Sequence, residues 1–186
     1  MNIARVSVFA LAMLAGTSAA QAAISVLGNG KAHECFIQAE LNTDTRRGLA
    51  MCNEALKADV LSDVDRASTL VNRAILRAHV NDTDGAMEDY DAALAIGAND
   101  GEVYLNRAAT MIALKRYDDA LKDADRAVQL HPVRIEVAYY NRAMANEALS
   151  NVRAAYEDYS AAVQAQPRFT AAKDQLSRFH MVRSDD

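Results

Sequence analysis

Apolar residues recur along this chain in steps of three and four, the spacing of one face of an α-helix. Tyr104, Ala108 and Met111 form such a face over residues 102–114, and Ala120, Ala124, Ala127 and Val128 form another over residues 117–130. The short Lys115-Arg116 link forces the two helices to lie antiparallel. Small residues at 108, 120 and 127 let the backbones approach closely. A larger side chain there would overpack, at a cost of roughly 1–3 kcal/mol. Pro132 stops the second helix, Pro167 does so one unit later, and Gly97 supplies the stop one unit earlier.

This hairpin is one of a series. Asn72-Arg73-Ala74 returns as Asn106-Arg107-Ala108 and as Asn141-Arg142-Ala143, with starts 34 and 35 residues apart. At fixed offsets follow Ala86, Asp89 and Ala93, then Ala120, Asp123 and Ala127, then Ala155, Asp158 and Ala162. A period near 34 marks a repeat array. One hairpin cannot bury its apolar face alone, whereas stacked neighbours can.

These residues resemble the tetratricopeptide repeat family. The large residue of the first helix is Leu70, Tyr104 or Tyr139, and the small one is Ala74, Ala108 or Ala143. The second helix supplies Ala86, Tyr90 and Ala93, then Ala120, Ala124 and Ala127, then Ala155, Tyr159, Ala162 and Pro167. The chain departs from the family where a late first-helix Tyr is replaced by Arg77, Met111 and Asn146, and where Ala124 stands in place of an aromatic. The resemblance covers residues 67–169, as units 67–100, 101–134 and 135–169. It implies an all-α solenoid of helical hairpins.

The flanks fill in the plan. Residues 1–22 read as a signal peptide: Arg5, an apolar run from Val6 to Ala15, and an Ala20-Gln21-Ala22 cleavage site. The run is shorter than the about 20 residues of a membrane span. The protein is therefore expected to be exported, to the periplasm or beyond, starting near Ala23. Residues 23–30 read as a linker. Helices over 31–41 and 45–57, joined by the turn Asn42-Thr43-Asp44, make a degenerate hairpin over 31–66 with about four extra residues near 59–65. On the repeat template Cys35 and Cys52 face each other across it. In an exported protein this favours a disulfide, with redox-active thiols or a metal site as alternatives. A capping helix is expected over 170–180, carrying Phe169, Ala172, Leu176 and Phe179 on one face, and a frayed tail over 181–186.

Charge and chemistry narrow the function. The net charge of −5 would become −6 on loss of the leader, which carries Arg5 and no acid. Such a surface does not invite nucleic acid. The four histidines, His33, His79, His131 and His180, lack metal-ligand spacing, and no phosphate loop or nucleophile elbow is present. Asp118-Asp119 and Glu157-Asp158 read as solvated helix faces. No cofactor, metal or catalytic residue is expected. The recurrent Arg and Asp invite ion pairs, either within units (Arg73 with Asp89, Arg107 with Asp123, Arg142 with Asp158) or between them (Arg107 with Asp89, Arg142 with Asp123).

The resemblance further implies that the first helices line a concave groove that binds a peptide or helix of another protein. Its positions here are Val71, Ile75 and His79, then Leu105, Asn106, Ala109 and Ile112, then Tyr140, Asn141, Met144 and Glu147. Only Asn106 matches the carboxylate-clamp residues of some family members, so an apolar peptide held through its backbone is the better fit. Ile112, Tyr140 and Met144 are expected to be partly exposed there. The leading expectation is a non-catalytic interaction module. The alternatives are a self-assembling scaffold whose groove is filled by its own chain or a second copy and, more weakly, a redox protein using Cys35 and Cys52.

Overall fold

The computed structural model describes residues 5–8, 21, 23, 24, 26, 30–57 and 61–182. Helices pair as α1 (Lys31–Leu41) with α2 (Thr45–Lys57), and α3 (Asp63–His79) with α4 (Thr83–Ala95). Likewise α5 (Gly101–Ala113) pairs with α6 (Tyr117–Leu130), and α7 (Ile135–Ala148) with α8 (Val152–Ala165). A short α9 (Thr170–Leu176) packs on α8. The array is the expected all-α solenoid. No helix among the described residues is long and apolar enough to cross a membrane.

Local chemistry sets the boundaries. Ser62, Asp82 and Asp100 cap α3, α4 and α5 by accepting from backbone amides three residues on. Asp44 does the same for α2, accepting from Arg47 N at 3.0 Å. The first helix of each repeat unit closes through a left-handed residue, at Asn81, Lys115 and Ser150 (φ 62°, 58° and 64°). That conformation costs a Lys about 1–2 kcal/mol, a cost glycine escapes. Lys115→Gly should therefore raise stability by about 0.5–1 kcal/mol net of unfolded-chain entropy, read as a higher urea midpoint at unchanged slope.

Stacking is asymmetric. The odd-numbered helices α1, α3, α5 and α7 touch one another in series, whereas α2, α4 and α6 each make their main contact, besides the hairpin partner, with the next odd helix. The odd helices thus form the inner row. Ala74, Ala86, Ala108, Ala120, Ala143 and Ala155 are all fully buried between the rows. Gly48 marks a close approach: a Cβ there would stand 2.8 Å from Gln38 Cβ and from Leu76 Cδ1.

Electrostatics repeats with the same period. Arg73, Arg107 and Arg142 each donate twice to the buried Asp89, Asp123 or Asp158 of their own unit, at 2.6–2.9 Å. The within-unit pairing is therefore the one adopted. Coupling between units uses other acids: Arg107 also donates to Asp91 at 2.6 Å, and Arg142 to Asp125 at 3.1 Å. Asp158 is 5 % exposed, so the expectation of a solvated face fails for it: the Arg142 fork pulls it inward. The departures at positions 77 and 146 gain a reason as well. Arg77 and Asn146 donate to the same buried carboxylates, Asp89 at 3.0 Å and Asp158 at 3.1 Å.

Cys35 and Cys52 are disulfide-bonded and fully buried, across the α1–α2 hairpin. The bond closes a separation of 17 residues, for which chain entropy gives about 3 kcal/mol. Cys52→Ser should lower the denaturant-derived stability by about that amount, and dithiothreitol should do the same to the wild type.

The ends depart from expectation. The first repeat opens at Asp63, ahead of the expected boundary at 67. Helical spacing after Pro167 holds only to Leu176, where α9 stops. The next residues form a strand, β2 (Phe179–Val182), antiparallel to β1 (Arg5–Val8), with Arg5 opposite Val182 and Val8 opposite Phe179. Neither the capping helix to 180 nor fraying at 181–182 is therefore adopted. The buried Phe179 ring packs on Tyr156 and Tyr159 at 5.9 and 5.8 Å, which draws the chain off the helical path. Most of the expected leader, residues 9–20, and its Ala22 lie outside the described residues.

Candidate functional site: the inner helix row

The inner row is where a ligand would lie. Val71 and Ile75 come from α3, Leu105, Asn106, Ala109 and Ile112 from α5, and Tyr140, Asn141 and Met144 from α7. All nine are buried. The expected partial exposure of Ile112, Tyr140 and Met144 is thus corrected to 8 %, 1 % and 4 %. These three share one apolar cluster with Tyr159, Ala172 and Phe179. The Tyr140 ring meets Phe169 edge-on at 5.2 Å and Tyr159 at 5.7 Å. Phe169 lies two residues after Pro167 in the C-terminal segment, and its arrival there removes Tyr140 from solvent. Glu147 is likewise engaged, accepting from Tyr159 Oη at 2.9 Å and pairing with Arg178.

The chain's own N-terminal residues supply a polar feature of this face. Asn72 Nδ2 donates to the Ile24 carbonyl at 2.7 Å, and Ile24 N–H donates back to Asn72 Oδ1 at 2.8 Å. One buried side-chain amide thus satisfies both backbone groups of one residue. Upstream, Gln21 Nε2 donates to Tyr90 Oη at 3.2 Å and to Thr110 Oγ1 at 3.1 Å. Burial pushes the Tyr90 hydroxyl pKa up, so it remains a neutral phenol. Downstream, Val26 is buried against Ala32 and Ala55, and its carbonyl lies 3.1 Å from His33 Nδ1. Gln21 thus touches α4 and α5, Ile24 touches α3, and Val26 touches α1 and α2. Residues 23–26, expected as a linker, include three that sit on the folded array.

Asn72 was absent from the expected groove positions, although the recurring Asn-Arg-Ala phrase placed it in register with Asn106 and Asn141. Of those, Asn141 Nδ2 donates to the Leu105 carbonyl at 3.2 Å, tying α7 to α5. A cavity of about 500 Å³ lies between the ends of α3, α5 and α7 beside Gln21, lined by His79, Thr110, Ile112, Tyr117 and Met144. Burial lowers the His79 pKa, which favours the neutral ring beside an apolar wall. A second cavity, about 290 Å³, adjoins Ile24 between Val71 and Val103.

No family model matches the chain. Human serine/threonine-protein phosphatase 5 is 33% identical over 108 residues, 58% of this chain and 21% of that protein. The chain thus spans about a fifth of the length of that curated relative. Among solved structures, the type IV pilus biogenesis factor PilW superposes with a TM-score of 0.69 at 22% identity, covering 80% of this chain and 66% of that one. The first TPR of Spaghetti (RPAP3), bound to an HSP90 peptide, superposes with a TM-score of 0.59 at 22% identity, covering 65% and 94%. The matching phrase in each unit, the close-packed Ala pairs and the hairpin stack agree with these likenesses, and the fold of the chain is that of a tetratricopeptide-type helical-hairpin solenoid.

Proposed function

We propose that this protein is a non-catalytic, exported interaction module that holds an extended peptide segment of another protein against its inner helix row. The observation that carries the reading is the reciprocal Asn72–Ile24 pair. It engages backbone alone, and so serves any extended peptide whose side chains tolerate the apolar wall around it. Neighbours of this fold bound to HSP90 and HSP70 peptides support the reading. The buried Cys35–Cys52 bond suits a structural staple in an oxidising compartment better than a redox centre, because neither sulfur reaches solvent.

The test is selection of a displayed random-peptide library on the protein, followed by titration of the selected peptides. Selected peptides should bind at micromolar affinity and lose at least tenfold on Asn72→Ala, the share of one reciprocal hydrogen-bonded pair. Peptides insensitive to Asn72→Ala would overturn the groove reading. Export is checked separately, by the intact mass of exported protein, which should begin at or near Ala23. The self-filled scaffold keeps one observation in its favour, the residues already lying against Asn72. A concentration-dependent dimer in light scattering would select it.

A further inference from the structure

The structure assigns the edge of the array where α3 and α5 begin to a second copy of this chain. The starting observation is a place where the repeat departs from itself. Position 98 falls 34 residues before Pro132, and position 67 falls 34 before Gly101. At the later join Pro132 seats on Gly101, so closely that a Cβ there would stand 2.9 Å from the proline Cβ and Cδ. At the earlier join Ala98 stands in place of that proline, and the smaller side chain leaves the join unfilled. In addition, α3 opens at Asp63, about one turn ahead of the position that matches the start of α5. The result is the cavity of about 290 Å³, lined by Val64, Val71, Ala98 and Val103 together with Asp63 and Asp100. Among the described residues no lysine or arginine lines it.

The complementary shape lies one join further along the same edge. Val133 is 93 % exposed and Val64, at the cavity, 75 %; they are the two most exposed large apolar side chains among the described residues. A lone exposed valine is ordinary. This one is held in place: its N–H donates to Glu102 Oε1 at 2.6 Å, and Pro132 beside it is seated on Gly101. A preorganised side chain loses little freedom on docking. Arg134 follows it, so an aliphatic tip and a guanidinium meet an apolar cavity with two carboxylates. Knob and cavity share an edge, because Val133 is tied to the first turn of α5 and the cavity lies between the first turn of α3 and the α4–α5 turn. Two copies related by a two-fold axis therefore exchange them reciprocally. Each Val133 enters the other's cavity, and each Arg134 faces the other's Asp63 and Asp100. The contact does not use Asn72, so this dimer is distinct from one in which a second copy fills the groove.

The experiment is sedimentation equilibrium of the full chain, with helix content checked by circular dichroism. The expected result is a monomer–dimer equilibrium that weakens at least about tenfold on Val133→Asp, and as much on Ala98→Leu, which fills the cavity from within. Asn72→Ala should leave the dimer unchanged. An equimolar mixture of the two edge variants should recover association, because Val133→Asp keeps its cavity and Ala98→Leu keeps its knob. A misfolded variant would recover none, so mixing separates a lost contact from a lost fold. A wild-type chain that stays monomeric up to about 1 mM overturns the inference. So does a dimer untouched by both edge variants, or growth beyond the dimer with rising concentration. A dimer lost on Asn72→Ala but kept on Val133→Asp belongs to the groove; it overturns the edge assignment and selects the self-filled scaffold instead.

Discussion

Asp123→Ala should destabilise the protein by about 3 kcal/mol, whereas Asp91→Ala should cost less than about 1 kcal/mol. The two carboxylates grip the same guanidinium, so the difference isolates burial from contact. Arg107 donates to Asp123 through Nε and Nη2 at 2.7 and 2.9 Å, and to Asp91 through Nη1 at 2.6 Å. The Asp123 side chain is 10 % exposed and the Asp91 side chain 64 %. Distance alone would rank Asp91 first. Solvent reverses the order, because water screens Asp91 and rehydrates the arginine on that side once the acid is gone. On the Asp123 side the arginine, itself 17 % exposed, would be left facing a water-poor pocket with two donors unsatisfied. Urea unfolding of both variants decides the matter. Equal losses would mean that the buried fork carries no more than the rim contact.

Tyr140→Ala should cost about 3 kcal/mol, as a core aromatic does and a groove-facing anchor does not. The ring is 1 % exposed and stands between Tyr159 and Phe169. Deleting it leaves a cavity next to two rings that lose their edge contact, worth a further increment of about 0.5–1.5 kcal/mol per aromatic pair if the site cannot collapse. Tyr140→Phe keeps the ring and should stay within about 1 kcal/mol. A loss below about 1 kcal/mol for Tyr140→Ala would return Tyr140 to the groove as a contact residue. Ala108→Leu tests the opposite error, since overpacking between the rows should cost roughly 1–3 kcal/mol.

Much of this protein was legible from its sequence because the repeat makes local and tertiary signals coincide. The helices α1, α2 and α6 lie where apolar spacing, turn residues and Pro132 placed them. The Ala contacts and the within-unit Arg–Asp candidates followed from period alone, since each unit meets the same neighbour in the same way. The Cys35–Cys52 facing followed from the same template. What a periodic reading could not reach was whatever breaks the period. Ile24 belongs to no unit, so its seat on Asn72 depends on a contact spanning 48 positions that no local spacing encodes. Phe169 and Phe179 also lie beyond the last hairpin, and only their arrival at α7 and α8 decided that Tyr140 is core. The sequence by itself determined the hairpins and their stacking, because helix period and residue size are local properties repeated at regular intervals. Tertiary structure alone decided which inner-row residues stay open to a partner, because exposure there depends on where the two non-repeating ends of the chain come to rest.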